Sequence, residues 1–148
     1  MRRLTLALAT LPVLGLQLTA GETLAACQVD TRPVAFGVID VTRTTDGTGE
    51  IVLNCSTAAN VEVALDSGAA PGQRYMTGAK GGRLKFELYT DATRSTAWGD
   101  GSGNGATVTA SNVGEEARRL TIYGRVPRQQ PVPADAYTYP LTVVLSFR

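Results

Sequence analysis

An all-β domain folded as a β-sandwich is what this sequence predicts, and three observations carry the prediction. Apolar residues recur at period two along most of the chain, whereas an amphipathic helix would repeat them at about 3.6. Glycine is abundant at 16 residues, threonine and valine are frequent, and runs of strong helix formers are few; that composition favours strands and turns. Turn signals fall about every ten residues, the spacing of a sandwich of short strands.

In chain order, residues 1–25 come first. Met1-Arg2-Arg3, an apolar run over 4–18 and the small residues Thr23 and Ala25 read as a secretory signal peptide cut after Ala25. Pro12 and Gln17 interrupt the run, which is short for a transmembrane span. Leu24-Ala25-Ala26-Cys27 also reads as a lipoprotein processing site, which would leave Cys27 acylated. Against that stand the polar stretch over 19–23 and the unpaired Cys55 it would leave in an oxidising compartment. Residues 26–148 remain as one domain, long enough to bury a sizeable core.

Val34, Phe36 and Val38 alternate in the first strand, which Pro33 confines to a sheet edge or a break. Asp46-Gly47 supplies a turn, after which Ile51, Leu53 and Cys55 alternate. Val61, Val63 and Leu65 follow, with Glu62 and Asp66 on the opposite face. A glycine-rich loop over 67–77 leads to the clearest strand, 84–89, whose Leu84, Phe86 and Leu88 face the core. Lys80, Arg83 and Lys85 bracket Gly81-Gly82 as a solvated hairpin end. Polar residues and glycine fill 91–105, before a short strand over 106–110, a turn near Gly114 and a strand over 120–123. Pro127, Pro131 and Pro133 bar the next connection from being a central strand. In the final strand, 141–148, Leu141, Val143, Leu145 and Phe147 form an apolar stripe that runs almost to the last residue. Either this strand closes a complete sandwich, or it borders an immunoglobulin-like sandwich that lacks one covering strand. The pattern itself leaves both open.

Composition removes several functions. The chain has 14 basic and 13 acidic residues, and loss of Arg2, Arg3 and Glu22 with the leader leaves the charges balanced. No basic stripe offers itself to nucleic acid. Histidine is absent, which removes Ser-His and Cys-His nucleophiles and the commonest metal ligand. Cys27 and Cys55 are the only cysteines, so an exported chain has one possible bridge. Two free buried thiols would suit a cytosolic protein instead.

Several further residues carry a specific resemblance. Cys27, Phe36-Gly37, Cys55, Arg74-Tyr75-Met76, Leu88-Tyr89-Thr90-Asp91, Trp98-Gly99-Asp100-Gly101, Tyr123-Gly124-Arg125-Val126-Pro127 and Tyr137 occur in this order, and in this the chain resembles the spore coat protein U domain family over nearly all of 26–148. Members of that family are similar to pilus subunits of archaic chaperone–usher systems in Gram-negative bacteria. The resemblance implies an incomplete immunoglobulin-like β-sandwich that lacks its final strand and is completed by donor-strand complementation. A periplasmic chaperone supplies the strand first, and a neighbouring subunit's N-terminal extension later replaces it; an outer-membrane usher is the further partner implied. The route runs through the periplasm to the cell surface, with no membrane anchor after cleavage. The expected acceptor groove is lined by Val34, Phe36, Leu141, Val143, Leu145 and Phe147. An open apolar edge of this kind is prone to aggregate alone and is satisfied by an added strand.

The chain departs from the family pattern where Ala136-Tyr137 replaces Gly-Tyr and where Pro140 opens the final strand. It also offers one or two residues ahead of Cys27 after the expected cut, or about six if cleavage falls after Ala20, whereas a donor strand needs on the order of ten. The expectation is an acceptor without a donor arm, at a terminal place in a fibre.

Other chemistries fit less well. Residues 100–105, Asp-Gly-Ser-Gly-Asn-Gly, imitate the first half of a calcium loop, but its twelfth position is Ser111 and not a bidentate glutamate. Asp91, Asp100, Glu115 and Glu116 show no convergence toward a hydrolytic carboxylate pair. Trp98 and Tyr89 are read as packing residues before sugar-stacking ones. The expectation is a non-enzymatic fibre subunit without cofactor or metal. The alternative is a self-complete secreted coat or carbohydrate-binding surface protein that does not polymerise.

Overall fold

The computed structural model describes residues 26–66, 69–129 and 131–148, so the expected leader over 1–25 lies outside the described residues. Ten strands follow in order, with no helix among the described residues: β1 Cys27–Ala35, β2 Thr45–Cys55, β3 Ala59–Asp66, β4 Tyr75–Gly78, β5 Arg83–Lys85, β6 Glu87–Tyr89, β7 Val108–Val113, β8 Arg118–Val126, β9 Tyr137–Thr138 and β10 Thr142–Phe147. They form a four-stranded sheet ordered β1-β2-β8-β6 and two three-stranded sheets, β10-β3-β7 and β5-β4-β9. Every ladder is antiparallel. The architecture is the all-β sandwich that the alternation predicts, and it agrees with the immunoglobulin-like fold that the resemblance implies.

The core lies between the first two sheets. Ile51, Leu53 and Cys55 of β2, with Ile122 and Val126 of β8, face Val61, Val63 and Leu65 of β3 and Ala110 and Val113 of β7. β-Branched and aliphatic residues at alternate positions can fill one pleated face without placing a polar group in it. Met76, Leu84, Phe86, Leu88 and Trp98 complete the cluster.

Four expectations change. Asp46-Gly47 is not a turn but lies inside β2, paired with Arg125 and Gly124 of β8; local turn chemistry yields there to long-range pairing. The first strand begins at Cys27, and Val38 lies beyond its end and is fully exposed. The chain bends at Gly37, which has a φ of 66°. The strand expected over 84–89 is split at Phe86: β5 pairs with β4, whereas β6 joins β8 in another sheet. At the break the Phe86 N–H donates to the Arg74 carbonyl, while Leu84, Phe86 and Leu88 all remain buried. Finally, β4 occupies the end of the segment expected as loop, and the Gly81-Gly82 hairpin joins it to β5.

Candidate functional site

β1 and β10 are edge strands of different sheets, and each pairs with one neighbour only among the described residues. Cys27 is in register with Cys55 and bridged to it, and Phe147 is in register with Val61 at the same end of the sandwich. The two edges therefore run antiparallel along one opening.

Exposure changes abruptly across one strand spacing. Val63 and Leu53 are fully buried. Leu145, beside Val63 on the next strand, is only half-buried, and Val29, beside Leu53, is 39% exposed. Phe147 is 51% exposed although its neighbour Val61 has no exposure. Leu141 and Val143 are half-buried as well. Side chains with the alternation of a core thus line an opening instead.

Between the edges lies a cleft of about 350 Å³, walled by Thr31, Val34 and Phe36 on one side and by Leu141 and Val143 on the other. Its floor is core: Ile51, Leu88 and Ile122 reach it. Leu145 and Phe147 lie outside this cavity and extend its apolar stripe along β10 toward the bridged end.

Sequence reasoning missed what seats the β1 wall. β1 shifts register between Arg32 and Ala35, around Pro33, and Val34 and Phe36 then lie over the inner face of the sheet. That face is bare because it carries glycine. A Cβ at Gly124 would fall 2.7 Å from both Phe36 Cζ and Val34 Cγ1, and one at Gly49 would fall 2.8 Å from Val34 Cγ2. Such approaches do not occur between real side chains, so glycine at these positions is a packing requirement.

The remaining motif residues hold the frame. Trp98 is buried, and its indole N–H donates to the Val63 carbonyl at 3.1 Å, which withdraws it from any stacking role. Gly99 permits the close return of its loop, because a Cβ there would overlap the Asn104 carbonyl. Asp100 accepts hydrogen bonds from Asn104 Nδ2, the Ser102 N–H and the Ser102 hydroxyl; these hold its carboxyl down at about 2. Asp91 is held further below the usual carboxylate range by the Thr93 hydroxyl and by the N–H groups of Thr96 and Ser95. On the outer face, Arg125 grips Asp46 through Nε and Nη2 at 2.7 and 2.9 Å, which depresses the Asp46 carboxyl. The Arg94 guanidinium lies 5.7 Å from the Tyr123 ring centroid. Pro127 ends β8, and its carbonyl accepts from Gln129 Nε2.

Arg74 was legible as a motif residue but not as an ion-pair member. Its side chain is wholly buried; Nη1 donates to Glu87 Oε1 and Nη2 to the Trp98 carbonyl at 2.6 Å. Glu87 also accepts from the Gly72 and Leu88 N–H groups. This joint ties the 69–74 segment, β6 and the Trp98 loop behind the cleft.

Comparison with known proteins points in one direction. The family model for the Spore Coat Protein U domain matches residues 15–144. Protein U of Myxococcus xanthus is 29% identical over 110 residues, which is 68% of this chain and 60% of that protein. The chain is thus shorter than its curated relative, of which it spans 60%. Among solved structures, the CsuC–CsuE chaperone–tip adhesion subunit pre-assembly complex of the archaic chaperone–usher Csu pili of Acinetobacter baumannii contains a similar fold. The TM-score is 0.53 at 19% identity, with 84% of this chain and 40% of that chain covered.

Proposed function

Because the chain belongs to the Spore Coat Protein U domain family, we propose that it is a structural subunit of a surface fibre assembled by a chaperone–usher pathway, and that the cleft between β1 and β10 accepts a donor strand. One observation carries this reading. Both sheet edges at the opening present core-type side chains, Val29, Leu141, Val143, Leu145 and Phe147, that stay half-buried or exposed beside an unextended ladder. An extended strand laid along β10 satisfies the ladder edge with its main chain and the stripe with alternate side chains. Completing the burial of each such side chain is worth about 1 kcal/mol, half of the ordinary transfer value.

In mechanism, a periplasmic chaperone lends its strand first, which keeps the open edge from aggregating. A neighbouring subunit's strand replaces it at an outer-membrane usher, and the chain reaches the cell surface without performing catalysis. Cys27 is committed to its own sheet by register and bridge, so β1 itself is a wall of the cleft and not a strand free to be donated; intact mass of the secreted protein fixes what precedes it.

Periplasmic expression with and without the cognate chaperone tests the reading. The expected result is soluble protein only in a one-to-one complex, lost on Val143→Asp, a change at a half-buried wall residue outside the core cluster's buried set. A soluble, cooperatively folding monomer obtained without chaperone would favour a self-complete coat protein and overturn the proposal.

A further inference from the structure

The opening is barred at one end. Phe36, on the β1 side, stands edge-on to Phe86 with centroids 6.4 Å apart, and Phe86 stands edge-on to Tyr139 at 4.9 Å, on the β10 side. The rings run from wall to wall with the buried Phe86 in the middle, and all three line the 350 Å³ cleft. Beyond Phe36 lies a second cavity of about 660 Å³, between the segments 34–41 and 132–137, whose apolar lining includes Ile39, Val41, Leu84 and Val132. Of the three rings only Phe36 borders both cavities, beside Val34, Met76 and Tyr137, which line both as well.

Its place is built. Gly47 and Gly124 pair with each other across β2 and β8, and a Cβ on either would come within 2.9 Å of the Phe36 ring. Gly37 then turns the chain away from the sheet. The ring is therefore held between a glycine floor and the Phe86 edge, in line with the path along β10.

Resting on the strand-accepting reading above, we propose that Phe36 is the stop of the cleft and determines the length of strand the chain receives. From Phe147 up to Leu141 the stripe offers about seven strand residues, or roughly 24 Å at 3.4 Å each. Alternate residues of a seated strand fill positions beside Phe147, Leu145, Val143 and Leu141. The next inward residue meets the Phe36 ring. A longer donor gains nothing past this point, whereas removing the Phe36 ring widens the passage toward the second cavity and lets a strand run on.

The test uses the full chain extended after Arg148 by a tight turn and an alternating Val-Thr strand of about five, seven, nine or eleven residues. β10 ends at the open end of the stripe, so each added residue advances toward the bar. Urea unfolding followed by tryptophan emission should show a midpoint that rises up to about seven residues and is then flat. In Phe36→Ala the rise should continue to about eleven. Phe36→Leu removes the ring but keeps an apolar side chain on the glycine floor, and serves where Phe36→Ala does not fold. A midpoint that keeps climbing in the parent chain overturns the stop, as does the same plateau in both variants. If no extension of any length raises the midpoint, the strand-accepting reading itself fails and the stop with it.

Discussion

Replacing Arg74 with alanine probes the polar joint behind the cleft. The guanidinium is wholly buried, with Nη1 on Glu87 and Nη2 on the Trp98 carbonyl. Alanine removes these two hydrogen bonds at once. Glu87 retains the N–H groups of Gly72 and Leu88, but its buried charge loses its counter-charge. Breaking a buried pair in this way costs roughly 3–5 kcal/mol. The orphaned Trp98 carbonyl accounts for about 1–3 kcal/mol of that loss and does not simply add to it. A domain of this size holds about 5–15 kcal/mol in all, so the variant stands close to unfolding.

The assay is built into the chain. Trp98 is its single tryptophan, buried and directly bonded to Arg74. Urea titration of the oxidised protein, read by Trp98 emission, should show the midpoint lowered by about 2 M, at an m-value of about 2 kcal/mol/M. The double change Arg74→Met with Glu87→Leu should recover part of the loss, because it removes the uncompensated charge as well. An Arg74→Ala protein that loses less than about 1 kcal/mol, with unshifted Trp98 emission, would refute the assignment of this pair as the anchor of the loop.

Three further outcomes are expected. Reduction of Cys27–Cys55, which closes a loop of sequence separation 28, should lower stability by about 3.5 kcal/mol in the chain-entropy account; the check is urea unfolding with and without dithiothreitol, and two titratable thiols in the untreated protein would contradict the bridge. Gly124→Val places side-chain atoms where Phe36 and Val34 lie and should cost about 1–3 kcal/mol by overpacking, together with weaker co-purification of a chaperone. The Asp91 and Asp100 carboxyls lie below their ordinary value of 3.8 in the folded chain. The stability they contribute is therefore complete above that value and is lost as pH falls below it, through about 2 for Asp100 and lower still for Asp91. Trp98 emission across that window should report the loss, and Asp91→Ala with Asp100→Ala should flatten the profile.

Much of the frame was legible because it is written locally. Alternation at Ile51, Leu53, Val61, Val63 and Leu65 assigns a buried face wherever the strand is placed, and these residues form the core. Pro33 marked an edge strand for want of a donor, and β1 is one. With two cysteines only one bridge was possible, and it is present. What alternation does not encode is the neighbour. Leu145 and Val63 carry the same pattern and differ in burial because, among the described residues, β3 has strands on both sides and β10 has one. Asp46-Gly47 has the chemistry of a turn, yet Gly47 serves as floor for Phe36, a requirement set by a residue on another strand.

The all-β class, the core stripes, the bridge and the family all follow from residue type and spacing. That β1 and β10 face one opening, that Gly124 and Gly49 clear its inner wall, and that Arg74 is buried against Glu87 emerge when the strands are assembled. The physical reason is the same in each case. Periodicity specifies which face of a strand is apolar, whereas burial, close approach and charge pairing depend on what the fold brings opposite that face.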